Sequence, residues 1–322
     1  MYVVILDNFE RYRHKGFMNR YKKTKLNLVN YIDIITNDAQ NANAEIKRLD
    51  CNLWILKNQI FFDLGFFMSD EIESVQINCS FPINKVEDLY SKFQCLNNIR
   101  NIFNEEYSFA EKREKNQNKK YIELSQGNDI KFHIKQANNL QINTKGLLFN
   151  TEPFEKTNEK TNKTLKYVRI RLTVNNKDNL IKTIKQKNRF FTTTYNNIVK
   201  GKILFNNILR RYNYNKNENL LNIKKFNFFL ILESEYIKNY KSNLKYKREL
   251  EQPKIWDGYL ECDIEGVTFD VYTSNNINCR IDIDFKILRT SIGTIAKYLF
   301  VAFLISIIQS MVIKFLIDNL FK

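Results

Sequence analysis

Residues 165–174 read LKYVRIRLTV, and an extended strand puts Tyr167, Arg169 and Arg171 on one face and Val168, Ile170, Leu172 and Val174 on the other. An aromatic ring beside two guanidinium groups suits stacking on a base and bidentate contact with phosphate, so these three are candidate oligonucleotide-binding residues. Arg210 and Arg211, with Tyr212 and Tyr214 beside them, form a second group of the same kind. The competing reading is an ordinary solvated strand face, since neither group forms a defined RNA-binding signature.

Other chemistry finds little support. His14 and His133 lie far apart, and no P-loop, G-x-G-x-x-G or G-x-S-x-G motif occurs. Asp282 and Asp284 form a D-x-D pair of the kind that holds catalytic metal in nucleotidyltransferases. No Gly-Ser motif precedes them, however, and strand alternation accounts for both as solvent-facing. The five cysteines are odd in number and lack C-x-x-C spacing, which fits free thiols in a reducing compartment rather than a zinc site. No catalytic residue, metal or cofactor is therefore expected.

Charge points to a polyanion. Seventeen Lys and Arg lie between Lys160 and Lys225 against Asp178 and Glu218, so about one fifth of the chain carries +15 of the net +16. A second acid-free run extends from Arg11 to Lys25. Such concentration attracts nucleic acid, nucleotides or anionic lipid headgroups, although a solvated lysine-rich surface has the same composition.

The elements that must position these residues have an α+β pattern. Strands are expected at Tyr2–Leu6, Leu53–Leu56, Ile60–Phe67 and Val75–Phe81, and a polar helical stretch near Asn37–Arg48. A helix is expected from the Asn84/Glu87 capping pair to Phe103, and a loop or solvated helix over Asn104–Asp129. Residues 151–164 read as a boundary or a mobile loop, giving an N-terminal region 1–150 and a basic region 165–290 ending in a β-meander. The basic region is expected to hold helices at Lys177–Phe190 and Tyr195–Tyr214, a central strand at Phe226–Leu232, a hairpin over Tyr259–Tyr272 and a last strand at Ile277–Ile287.

Residues 292–318 read as a transmembrane helix. Tyr298–Ile313 is uncharged for 16 residues, and the span reaches bilayer thickness if Lys297 and Lys314 snorkel. A buried terminal helix of a soluble domain is the alternative. Lys286, Arg289 and Lys297 upstream place the large domain in the cytoplasm by the positive-inside rule, making a tail-anchored, single-pass protein. Ser306, Gln309, Ser310 and Lys314 share an arc of about 140°, a stripe suited to helix packing or to lining a pore in a homo-oligomer. Only Leu288–Ser291 separates the last strand from this helix, a junction able to pass a change in the domain to the membrane.

In layout and charge the chain resembles the transmembrane effectors of bacterial antiphage defence, including those of cyclic-oligonucleotide systems and the Hailong system. The resemblance implies a non-enzymatic effector in the bacterial inner membrane that forms or gates a pore under control of a single-stranded oligonucleotide or nucleotide signal. Two other readings stay open: a tail-anchored tether binding anionic lipid or a partner protein, and a membrane-tethered nuclease.

Overall fold

In the computed structural model the described residues are 30–36, 45–56, 59–103, 105–113, 120–127, 129–143, 146–151, 165–185, 197–205, 219–220, 223–233, 236–238, 246–249, 254–260, 267–275, 279–287 and 292–320. The strands in chain order are β1 (Asn30–Thr36), β2 (Ile46–Ile55), β3 (Ile60–Met68), β4 (Ser74–Cys79), β5 (Ile83–Asp88), β6 (Ser108–Arg113), β7 (Lys120–Gln126), β8 (Asp129–Ile134), β9 (Asn138–Asn143) and β10 (Gly146–Asn150). They continue as β11 (Leu165–Val174), β12 (Ile181–Lys185), β13 (Asn197–Phe205), β14 (Asn219–Leu220), β15 (Ile223–Glu233), β16 (Tyr236–Lys238), β17 (Tyr246–Glu249), β18 (Val267–Ser274) and β19 (Cys279–Ile287). The helices are α1 (Leu96–Phe103), α2 (Lys177–Leu180), α3 (Lys254–Leu260) and α4 (Ile292–Leu320), with a 3₁₀ turn at Tyr90–Gln94.

Two mixed sheets result. The first runs β16-β19-β13-β1-β4-β10-β9, and the second β17-β18-β15-β2-β3-β11-β8-β7-β6. Period-2 alternation builds the layer between them. Ile32 and Ile34, Val75 and Ile77, Leu147 and Phe149, and Ile203 and Phe205 come from the first sheet. From the second, β2, β3, β11 and β15 contribute their own alternate residues to the same cluster. Phe205 meets Phe226 across this layer at 4.8 Å, and Phe66 meets Phe149 at 5.6 Å. The central strands of the second sheet are apolar on both faces because their other face is covered as well. Trp54, Phe61, Phe67, Tyr167 and Ile231 pack there beneath Phe93, Ile99, Trp256, Tyr259 and Leu260.

Both sheets combine strands from the two sides of residues 152–164: β1 pairs with β13 in the first, and β2 with β15 and β3 with β11 in the second. Strands expected at Leu53–Leu56, Ile60–Phe67, Val75–Phe81, Phe226–Leu232 and Ile277–Ile287 fall on β2, β3, β4, β15 and β19. Several expectations are corrected. The helix from Asn84 begins only at Leu96, because residues 83–88 pair with β11. Lys177–Phe190 is helical for four residues and then enters β12. The helix over Tyr195–Tyr214 is instead β13 up to Phe205, where β-branched Ile198, Val199 and Ile203 and a central Gly201 disfavour helix. Within the stretch expected as a loop or solvated helix, β6 pairs antiparallel with β7, with cross-strand ion pairs Lys112–Glu123 at 2.6 Å and Lys120–Glu111 at 3.2 Å. Of the hairpin expected over Tyr259–Tyr272, Tyr259 lies in α3, residues 261–266 lie outside the described residues, and β18 pairs with β15 and β17. Tyr2–Leu6, Arg11–Lys25 and Arg210–Tyr214 lie outside the described residues, as do residues 37–44 of the stretch read as helical, whose last residues Ile46–Arg48 open β2.

α4 is long and apolar enough to cross a bilayer: Tyr298–Asn319 has a mean hydropathy of 2.3, and none of it is buried.

Candidate functional site

The outer face of the second sheet carries a polar stripe inside an otherwise apolar layer. Antiparallel register sets Arg171 opposite Asp63, Arg169 opposite Gly65 and Tyr167 opposite Phe67. On the other side of β3, Asn52 lies opposite Asp63 and Asp50 opposite Gly65. Strand alternation thus brings Asp50, Asn52, Asp63, Arg169 and Arg171 to one surface, and α3 covers it with Trp256 and Tyr259.

Asp63 is the hub. Arg171 donates to it through Nε at 2.7 Å and Nη2 at 3.0 Å, Trp54 through Nε1 at 3.0 Å, and the Tyr259 hydroxyl at 2.8 Å. Arg169 donates through Nε to the Tyr259 hydroxyl and through Nη1 to the Tyr167 hydroxyl, each at 2.8 Å. Its Nη2 is buried with no hydrogen-bond partner. Asp50 is satisfied separately, by Arg48 at 3.1 Å and Asn227 at 2.7 Å. Gly65 makes room for the Tyr167 ring, because a Cβ there would lie 2.2 Å from the Tyr167 hydroxyl.

Burial sets the electrostatics. It lifts the Tyr167 phenol to about 12 and pushes Tyr259 further up, so both stay protonated and neutral. For the arginines burial works against charge. It is outweighed by the Tyr167, Tyr259 and Asp63 oxygens at Arg169 and by Asp63 at Arg171, so both remain cations. The cluster of Asp63, Arg169 and Arg171 therefore holds one negative and two positive charges away from water.

The open strand face expected for Tyr167, Arg169 and Arg171 is corrected. The alternation is as read, but these residues are 0%, 1% and 7% exposed, because α3 and the segment around Phe93 cover the side that the sequence left to solvent. In this conformation they cannot stack on a base or clasp a phosphate. Arg210 and Arg211 lie outside the described residues. Ser306, Gln309, Ser310 and Lys314 are all exposed on α4, and the Ser310 hydroxyl donates to the Ser306 carbonyl at 2.9 Å. Asp282 and Asp284 stand in register opposite Lys202 and Lys200 of β13. Among the described residues no three His, Cys, Asp or Glu side chains gather as for a metal ion.

Sequence reasoning missed Asp63, Trp54 and Tyr259. A signal for Asp63 was present: it is the only charge in IFFDLGFFM, and a lone carboxylate in a buried strand calls for a buried cation such as Arg171.

Asp88 closes β5 nearby and accepts from the Ala137 N–H at 3.3 Å. Burial raises its carboxyl from 3.8 to about 6, against the hydrogen bonds from Ala137 and Tyr90 that lower it. A raised folded-state value means that stability is fully present below the unfolded value, about pH 4, and is lost as pH rises through about 6. Asp88→Asn is expected to flatten the stability profile across that window and to add roughly 2 kcal/mol at neutral pH, after allowance for partial solvent screening. Denaturant unfolding at a series of pH values checks this, and an unaltered slope contradicts it.

The sequence matches no protein-family model and no curated protein.

Proposed function

We propose that the protein is a non-enzymatic, single-pass membrane effector of antiphage defence. Its C-terminal helices associate to form or gate a pore under the control of an anionic oligonucleotide taken up by its cationic body. The observation that carries the reading is α4, which leaves Leu299, Phe300, Phe303, Ile308, Met311 and Phe315 exposed along a length suited to hydrocarbon. A surface this apolar is stable only in lipid or against other helices. Lys286, Arg289 and Lys297 support a cytoplasmic side for the body, at the inner membrane in a bacterial host. Gln309 within the span favours association of helices over a lone anchor.

With Arg169 and Arg171 beneath α3, first contact with a polyanion falls to the other cations between Lys160 and Lys225. Lys182 and Lys225 are exposed, and Arg210 and Arg211 keep their assignment from sequence. Burial of the β11 arginines favours a second reading, a tether whose remaining cations dock on anionic lipid. Full-length protein purified in detergent under high salt without nuclease separates the two. The proposal expects a discrete short oligonucleotide on a defined oligomer. It also expects Arg210→Glu/Arg211→Glu to weaken binding of single-stranded DNA at least tenfold and to lower the salt slope by about 2. A nucleic-acid-free monomer that shifts neither DNA nor RNA overturns it in favour of the tether.

A further inference from the structure

We infer that a cavity at the end of the second sheet is a binding site for a guanine nucleotide, with the base lying on the Arg48 guanidinium and its donor edge against Glu105. The site takes that base from an oligonucleotide, and in this respect it rests on the proposed function.

The cavity, of about 220 Å³, opens where the start of β2, the end of β7, the start of β8 and residues 105–107 come together. Its floor is aromatic: Phe132 makes edge contacts with Phe67 at 4.8 Å and with Tyr107 at 5.6 Å. Its rim carries Arg48, Glu105, Gln126 and Lys131. An apolar floor with a few convergent polar groups is the usual form of a small-molecule site. Lys47 and Arg48 are paired with Glu45 and Asp50, so affinity here comes from stacking and edge recognition rather than from net charge.

Arg48 supplies the plane. Its guanidinium lies over the Phe67 ring, 3.9 Å from the centroid, and the side chain keeps 30% of its surface exposed at the cavity. Asp50 accepts from Nε at 3.1 Å and so fixes the orientation, while among the described residues neither Nη is engaged. A base stacks on the open face of such a guanidinium as it does on an aromatic ring, giving a sandwich of Phe67, Arg48 and base.

Glu105 supplies the selectivity. The Tyr107 hydroxyl donates to its Oε2, and Gln126 Nε2 donates to the same oxygen at 3.5 Å, which leaves Oε1 as an open acceptor. Guanine is the DNA base whose Watson–Crick edge presents two adjacent donors, N1–H and the 2-amino group, and a carboxylate accepts from both. Adenine and cytosine set a ring-nitrogen acceptor at that place, and thymine flanks its single N–H with carbonyl oxygens, so each of them meets the carboxylate with lone pairs. The Gln126 amide beside Glu105 has a second N–H for guanine O6. Lys131 is tied among the described residues only to the exposed carboxylate of Asp129, at 3.8 Å, a contact weak enough to yield to the phosphate of the nucleotide.

Equilibrium dialysis of the full-length protein in uncharged detergent, at constant ionic strength, against dGMP, dAMP, dCMP and dTMP tests the site. dGMP should bind about tenfold more tightly than each of the others, the discrimination of one bidentate contact. Glu105→Gln, a change of the same size at an exposed position, should remove that preference. Arg48→Lys, which keeps the charge and loses the plane, should weaken dGMP about tenfold. Equal binding of the four nucleotides, binding of none, or an undiminished preference in Glu105→Gln overturns the site. A short single-stranded oligodeoxynucleotide containing guanine is then compared with a guanine-free one of the same length. Binding of the two alike, with dGMP not preferred, overturns the site and leaves the proposed function standing. A preference for dGMP with neither oligonucleotide bound upholds the site and removes the oligonucleotide from that function.

Discussion

Asp63→Ala is expected to cost about 3–5 kcal/mol, enough to unfold a marginal domain, because it leaves two buried guanidinium groups with no carboxylate. Four hydrogen bonds end on this side chain, from Arg171 twice, Trp54 and Tyr259. The attraction across the pair is not what sets the cost; the penalty arises because Arg171 and Arg169 stay charged where water cannot reach them. Asp63→Leu combined with Arg171→Met should therefore recover much of the loss, since it removes charge on both sides. Denaturant unfolding of the full-length protein in detergent checks both variants. A loss under about 1 kcal/mol for Asp63→Ala contradicts the assignment of Asp63 as the hub.

Gly65→Ala comes next, at about 2–4 kcal/mol for one added methyl group. Its Cβ would lie 2.2 Å from the Tyr167 hydroxyl and 2.8 Å from the ring carbon bearing it. The ring has no room to retreat, as Phe67, Phe103 and Phe93 surround it at centroid distances of 4.5, 5.0 and 5.7 Å. Forced aside, the hydroxyl leaves Arg169 Nη1 and adds a second unmet donor to that guanidinium. Tyr167→Phe relieves the closest approach, so the double variant should be more stable than the sum of the two single losses. Thermal unfolding of the four proteins measures this coupling, and strict additivity contradicts the contact.

Much of this was legible in period-2 patterns. β2, β3, β4, β15 and β19 follow from runs of apolar and alternating residues, and α4 follows from an uncharged stretch without competitors. The two faces of β11 were also separable, since Val168 and Ile170 differ plainly from Arg169 and Arg171. Nothing local to β11 says that Tyr259, 90 residues beyond Arg169, closes over the polar face, so a buried cluster read as an open binding surface. β13 misled for a related reason. Its Ile198, Val199, Ile203 and Phe205 satisfy helical spacing as well as strand alternation, and only pairing with β1, β12 and β19 decides between them. The capping pair at Asn84 and Glu87 was overridden in the same way by pairing of β5 with β11.

The central claim, that α4 holds this sheet body at a bilayer, is tested most directly by alkaline carbonate extraction of membranes from cells making the full-length chain. The full chain should stay with the membrane pellet, and a chain lacking residues 292–322 should pass to the supernatant. Release of the full chain by carbonate, or retention of the shortened one, contradicts the account.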